Sequence, residues 1–179
     1  MSLFKIIYYP DIRLRKIAKP VVKIDNQIKI VVENMFNIMY KNNGIGLSAT
    51  QINFNKQIII VDVSKNKTKP LIFINPKILK KSGLICYNEG CLSIPGYHYK
   101  INRSKILNIR ALDLNFNTFQ IQTDNLLSVC IQHEIDHLIG KLFIDYLSPL
   151  KRKFFEKKIK KINQNILKNK KNTFKRKYI

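Results

Sequence analysis

Acidic residues, cysteines and histidines are all scarce in this chain. Its 33 Lys and Arg face only 11 Asp and Glu, a formal net charge of +22 over 179 residues. Such an imbalance implies attraction to polyanions such as RNA, or to an anionic membrane surface, and is silent on fold. Compositional drift toward Lys, Ile and Asn accounts for much of the charge, but not for its clustering at the C-terminus. The three cysteines, Cys86, Cys91 and Cys130, are too few and odd in number for a disulfide framework, which points to a reducing compartment. Apolar runs are short and broken by Lys or Asn, so none is expected to span a bilayer. Met1 to Pro10 lacks the charged and then apolar regions of a secretory signal. These absences together predict a cytoplasmic protein. No internal repeat and no Gly/Ser linker divides the chain. Hydrophobic residues make up 45% of it, enough for one core with an appended element.

Asp25 to Lys41 reads as a helix, with Asp25 as N-cap and Ile28, Val31, Val32, Met35, Phe36 and Met39 at helical spacing. Gln57 to Val63, Leu71 to Asn75, Ile106 to Leu112 and Phe119 to Gln122 are rich in β-branched and aromatic residues and read as strands. Asp124 to Ile139 reads as a second helix, capped by Thr123 or Asp124, with Gly140 just past its end. A third helix is expected from Ser148-Pro149 onward, running into the basic tail. Successive strands without intervening helices argue for an antiparallel or mixed sheet, hence an α+β fold. The expected division is a catalytic domain over 1–150 and a basic C-terminal helix and tail over 151–179.

The strongest chemical signal is His133-Glu134-Ile135-Asp136-His137. Residues i and i+4 share a helix face, so both imidazoles can hold one metal, and Glu134 then lies beside its open position as a general base. Water on such a metal ionises far more readily than bulk water. A chance match on a solvated helix is the bland alternative. Two of only three histidines fall at ligand spacing here, and Leu126, Leu127, Val129, Cys130 and Ile131 before them are not a solvated face.

A catalytic site of this kind needs a third protein ligand. A further histidine six residues after His137 would be expected in one peptidase class, but that position is Phe143. A downstream glutamate would serve in another, and Glu156 is the only candidate; it sits among Lys and Arg. Cys91 remains, within Glu89-Gly90-Cys91-Leu92-Ser93, where a thiolate suits iron, zinc or nickel. Cys130, one turn before His133, fits a pocket wall better than a ligand, and Cys86 has no glycine beside it. The segment Gly44-Ile45-Gly46-Leu47-Ser48-Ala49-Thr50-Gln51 reads on its own as a glycine-rich turn, without the Gly-Lys-Ser/Thr of a phosphate loop.

In this order, GIGLSATQ, EGCLS and HEIDH resemble the peptide deformylase family, whose corresponding motifs are G-x-G-L-A-A-x-Q, E-G-C-L-S and H-E-x-D-H. The likeness runs from about Leu3 to Leu150 and includes Tyr9 to Arg15 and Ile109 to Asp113. Ser48 departs from the family's usual alanine. The resemblance implies an α+β fold with mixed or antiparallel sheets around a central metal-binding helix. It implies Cys91, His133 and His137 as ligands of Fe(II), with zinc or nickel as substitutes. It also implies removal of the N-formyl group from the initiator methionine of new polypeptides, with release of formate. Glu134 would move the proton, and the Gln51 side-chain amide and Leu92 backbone N–H would receive the oxyanion. The backbone at Ile45 and Gly46 would pair with the extended peptide. Leu126, Val129 and Cys130 precede His133 by seven, four and three residues, so with Ile45 they are candidates for the methionine pocket. Arg103 is expected to pair with an acid such as Glu89 and hold the Cys91 loop; His98 is expected to be exposed and uninvolved.

From Lys151 to Ile179 the only acid is Glu156. A solvated basic helix is the plain reading. For an enzyme of nascent chains, ribosomal RNA is the natural polyanionic partner. No membrane partner is expected, and a monomer is. The rival class is a nucleic-acid-binding protein with a structural metal, but a structural zinc site is closed by four protein ligands.

Overall fold

The computed structural model describes residues 4–161. The chain falls into two compact units, 1–143 and 144–179. In the first, the elements run α1 (Asn26–Lys41), β1 (Gly46–Ser48), β2 (Ile58–Val61), β3 (Leu71–Ser82), β4 (Ile85–Cys91), β5 (Ile94–Arg103), β6 (Ile106–Leu112), β7 (Thr118–Asp124) and α2 (Asn125–Leu138). Strands β1-β2-β3-β6-β7 form one antiparallel sheet, and β4-β5 form a separate antiparallel hairpin. The fold is α+β, as expected.

Alternation along β2 explains how both helices are held. Ile58 and Ile60 point into a core with Val31, Val32, Met35 and Met39 of α1. Ile59 and Val61 point into a second core with Cys130, Ile131 and Leu138 of α2. A strand buried on both faces needs a continuous apolar run, and β2 is buried throughout. Asp25 caps α1 as expected, its side chain accepting from the Ile28 N–H.

The metal-motif helix is fixed at both ends by the rest of the first unit. Near its start, Ser128 Oγ and Gln132 Nε2 donate to the Ser104 carbonyl at 2.8 Å each, and the Ser104 N–H returns a bond to Gln132 Oε1. At its end, the Ala18 N–H donates to the Leu138 carbonyl. Gly140 follows with φ +72°, and a side chain there would strike the Arg15 backbone, so glycine is required twice over. The N-terminal segment also laces the loops together: Ile7 N–H donates to Gln51 O and Tyr9 N–H to Ser93 O.

Several sequence expectations change. β3 does not stop at Asn75. It passes through Pro76 at a register shift between Ile74 and Lys77, where a residue without an N–H is tolerated. β1, β4 and β5 were not anticipated. Neither Thr123 nor Asp124 caps α2 through its side chain: Asp124 makes no capping bond, and Thr123 Oγ1 has no partner among the described residues. In the second unit a helix covers 149–161, with Pro149 in its first turn and Arg152 bonded to Glu156 one turn on. The apolar tail positions Ile162, Ile166 and Leu167 lie outside the described residues.

Candidate metal centre

Three elements meet at the site. α2 carries His133, Glu134 and His137, the end of β4 carries Cys91, and the short 3-10 turn after β1, Ala49–Ile52, carries Gln51. The ligand atoms of Cys91, His133 and His137 all lie within 4.8 Å of one another, and Cys91 Sγ is 3.2 Å from His137 Nε2. Among the described residues this is the sole group of three or more Cys, His, Asp or Glu able to hold a metal ion. Glu156, the rival third ligand, bonds Arg152 instead. Cys86 is exposed and Cys130 buried, and neither belongs to the group.

The surrounding bonds orient the ligands. His133 Nδ1 meets Glu89 Oε2 at 2.8 Å, which leaves Nε2 to face the cluster. Arg103 holds Glu89 with two bonds, at 2.7 and 3.0 Å, and reaches Asp136 Oδ2 at 2.6 Å. The pairing of Arg103 with Glu89 was expected. The carboxylate's second role, holding the histidine, and the tie to Asp136 were not. Glu89 stands two residues before Cys91 on β4, but the pairing with β5 shifts register between them, so alternation along the strand did not announce the contact.

Burial sets the electrostatics. It raises the Glu134 carboxyl to about 7, against the pull of His133 and with a push from Glu89. Burial also disfavours a charged imidazole at both histidines. Hydrogen bonds that His133 donates to Cys91 and Glu89 overcome this, and the imidazole is held well above the usual range. His137, facing the His133 and Arg103 cations, is held well below it. Glu134 Oε2 and His137 Nδ1 are buried without a hydrogen-bond partner among the described residues. A buried carboxylate oxygen beside two imidazoles and a thiol, unsatisfied by protein, fits a metal and a water that the carboxylate can deprotonate. The residues present therefore fit the metal that the motif implies.

Glu134 and Cys91 open on a cavity of about 630 Å³. Ile45, Gly46, Leu126, Val129 and Cys130, the expected pocket residues, all line it, as do Gln51 and Leu92. A Cβ on Gly46 would lie 2.5 Å from Glu134 Oε1 and 2.6 Å from Cys130 Sγ, so the absent side chain is what admits the carboxylate. β1 is an edge strand, with β2 on one side only. Gln51 Nε2 donates to Ser93 Oγ at 3.1 Å and lies 3.4 Å from Cys91 Sγ. Ser93 was not singled out from sequence. His98 is exposed and lies outside the ligand group; with Tyr8 and Tyr87 it lines the same cavity, close over Gly90.

Comparison with known proteins agrees with this geometry. Residues 3–153 match the family profile described as polypeptide deformylase. The chain is 56% identical over 166 residues to a peptide deformylase of Baumannia cicadellinicola, covering 93% of this chain and 99% of that protein. It is 51% identical over 164 residues to that of Hamiltonella defensa, covering 92% and 96%. The crystal structure of a Legionella pneumophila peptide deformylase superposes with a TM-score of 0.85 at 40% identity, covering 92% of this chain and 97% of that one. An Ehrlichia chaffeensis peptide deformylase solved in complex with actinonin superposes with a TM-score of 0.84 at 39% identity, over 90% and 98%. The ordered motifs, the ligand cluster and near-full-length likeness lead to one conclusion: the chain is an enzyme and belongs to the polypeptide deformylase family.

Proposed function

We propose that Cys91, His133 and His137 hold a ferrous ion, with zinc or nickel as substitutes, and that Glu134 is the general base of deformylation. As a deformylase the enzyme hydrolyses the N-formyl group from the initiator methionine of newly made polypeptides, with release of formate. When bound, the metal supplies a Lewis acid and makes a water more acidic. Glu134 takes a proton from the attacking water, whose oxygen bonds to the formyl carbon. The C–N bond then breaks, and Glu134 returns the proton to the leaving amine nitrogen. Products are formate and a free α-amino group. The Gln51 amide and Leu92 N–H receive the negative charge that develops on the formyl oxygen. Ile45 and Gly46 offer their edge backbone to the extended peptide, and Leu126, Val129 and Cys130 receive the methionine side chain. The observation that carries the reading is the convergence of the three ligand atoms beside a buried, unpartnered Glu134 oxygen at the mouth of an apolar cavity.

Metal identity has a direct test. Thiolate ligation leaves both Fe(II) and sulfur open to oxidation. Enzyme loaded with iron should lose formate-releasing activity in air, and the same protein loaded with nickel should keep it. A fully active iron form that is stable in air contradicts the ferrous assignment.

We further place the enzyme in the cytoplasm as a monomer, with a catalytic domain over 1–150. Residues 151–179 form a basic appendage that meets ribosomal RNA. In support, no helix among the described residues is long and apolar enough to cross a membrane. Truncation after Leu150 should weaken co-sedimentation with ribosomes, and truncation after Gln164 should weaken it less. Binding by the full chain should fall steeply with salt, while turnover of small formyl-peptides stays near normal. Equal, salt-independent binding by all three proteins removes the ribosome from the account.

A further inference from the structure

Ser48 is fully buried. Its hydroxyl lies 3.1 Å from Gln51 Oε1 and 3.2 Å from Thr50 Oγ1, and Thr50 Oγ1 lies 3.3 Å from the His137 carbonyl. The Ser48 N–H also donates to Gln51 Oε1, at 2.9 Å. The Gln51 carbonyl oxygen is thus held from two directions by one residue, while its Nε2 faces Cys91 and Ser93. An alanine at 48 keeps the backbone donor and loses the second.

We propose that Ser48 is a positioning residue for the reaction: its hydroxyl locks the Gln51 amide with Nε2 toward the metal centre. This inference rests on Gln51 being an oxyanion donor. Proton counting sharpens it. The two hydroxyls bring two protons to three contacts, which allows three arrangements with one contact lacking a proton in each. In the first, Thr50 donates to Ser48, and Ser48 donates to Gln51. In the second, Ser48 donates to Thr50, and Thr50 donates to the His137 carbonyl. In the third, Ser48 donates to Gln51 and Thr50 to the His137 carbonyl. Only the second releases the amide. Replacing Thr50 with the near-isosteric valine removes the second arrangement and leaves the Ser48 proton to Gln51 alone. A donor that preorganises the amide acts on the transition state more than on peptide binding, so its loss should lower kcat and spare KM.

The experiment compares metal-loaded wild type, Ser48→Ala, Thr50→Val and Gln51→Ala. It measures kcat and KM on a formyl-methionyl peptide, and hydrogen exchange of the Gln51 side-chain amide by ¹⁵N NMR on the diamagnetic zinc form. Ser48→Ala should lower kcat about three- to tenfold with KM unchanged, the range expected for one neutral hydrogen bond. The Gln51 amide protons should exchange faster by a similar factor. Thr50→Val should leave kcat unchanged and exchange equal or slower. Gln51→Ala should lose about 10²-fold or more. If Gln51→Ala is crippled while Ser48→Ala changes neither kcat nor amide exchange, the positioning role is overturned and the oxyanion donor stands. If Thr50→Val is as damaging as Ser48→Ala, Ser48 only ties the turn to α2, and the proposal is likewise overturned. If Gln51→Ala turns over normally, the oxyanion reading fails, and the proposal with it.

Discussion

Glu134→Gln should abolish turnover and leave the metal bound. The substitution conserves volume, so the tight space beside Gly46 and Cys130 stays filled, and it removes only the ability to take up a proton. Burial already holds the Glu134 carboxyl near 7, which suits a group that must both accept and return a proton at neutral pH. A neighbouring divalent cation favours the ionised, accepting form. Loss of a general base costs about 10² to 10⁴ in rate, or more where the same group also serves as the acid. The check is single-turnover formate release with metal analysis of the same sample. Metal at the wild-type level with activity near zero is the expected pair of results. Near-normal activity would remove Glu134 from the mechanism, and lost metal would make it a ligand.

Cys91→Ala should fail differently, by losing the metal. Of the three candidate ligands, Cys91 is the one that α2 does not carry, and its thiol reaches the cluster from the end of β4. Two imidazoles on one helix still bind weakly, but a site with three protein ligands loses a full metal–sulfur bond and its charge neutralisation. Dialysed Cys91→Ala protein should retain little metal and release no formate, whereas Glu156→Gln should keep both at wild-type levels, since Glu156 already serves Arg152. Retention of one metal per chain by Cys91→Ala would oust Cys91 from the ligand set. Loss of metal from Glu156→Gln would revive the peptidase-like alternative.

How legible each part was depends on how local its signal is. α1 announces itself by an N-cap and helical apolar spacing, and β2 by an unbroken apolar run, because each pattern lies within one short window. The β4-β5 hairpin does not. Its strands carry Asn88, Glu89, Gly90, Pro95 and Gly96, poor strand formers held by register with each other rather than by propensity. β1 is only three residues long, too short for any period to show. The site divides in the same way. His133 and His137 declare themselves by helical spacing. Cys91 needed elimination of rivals, since it joins them only through the fold. The roles of Ser93, Asp136 and the Glu89–His133 contact depend on side chains meeting across elements, and no spacing within one element encodes that. Ser48 stood out as a departure from a motif, but the contact with Gln51 that gives it meaning belongs to the folded turn.

Formate release from a formyl-methionyl peptide, with metal content measured on the same protein before and after chelation, decides whether one metal on Cys91, His133 and His137 makes this fold a deformylase. About one metal per chain, with formate release lost on chelation and restored by Fe(II) or Ni(II), is the predicted result. Formate release that persists at full rate in metal-free protein would contradict it.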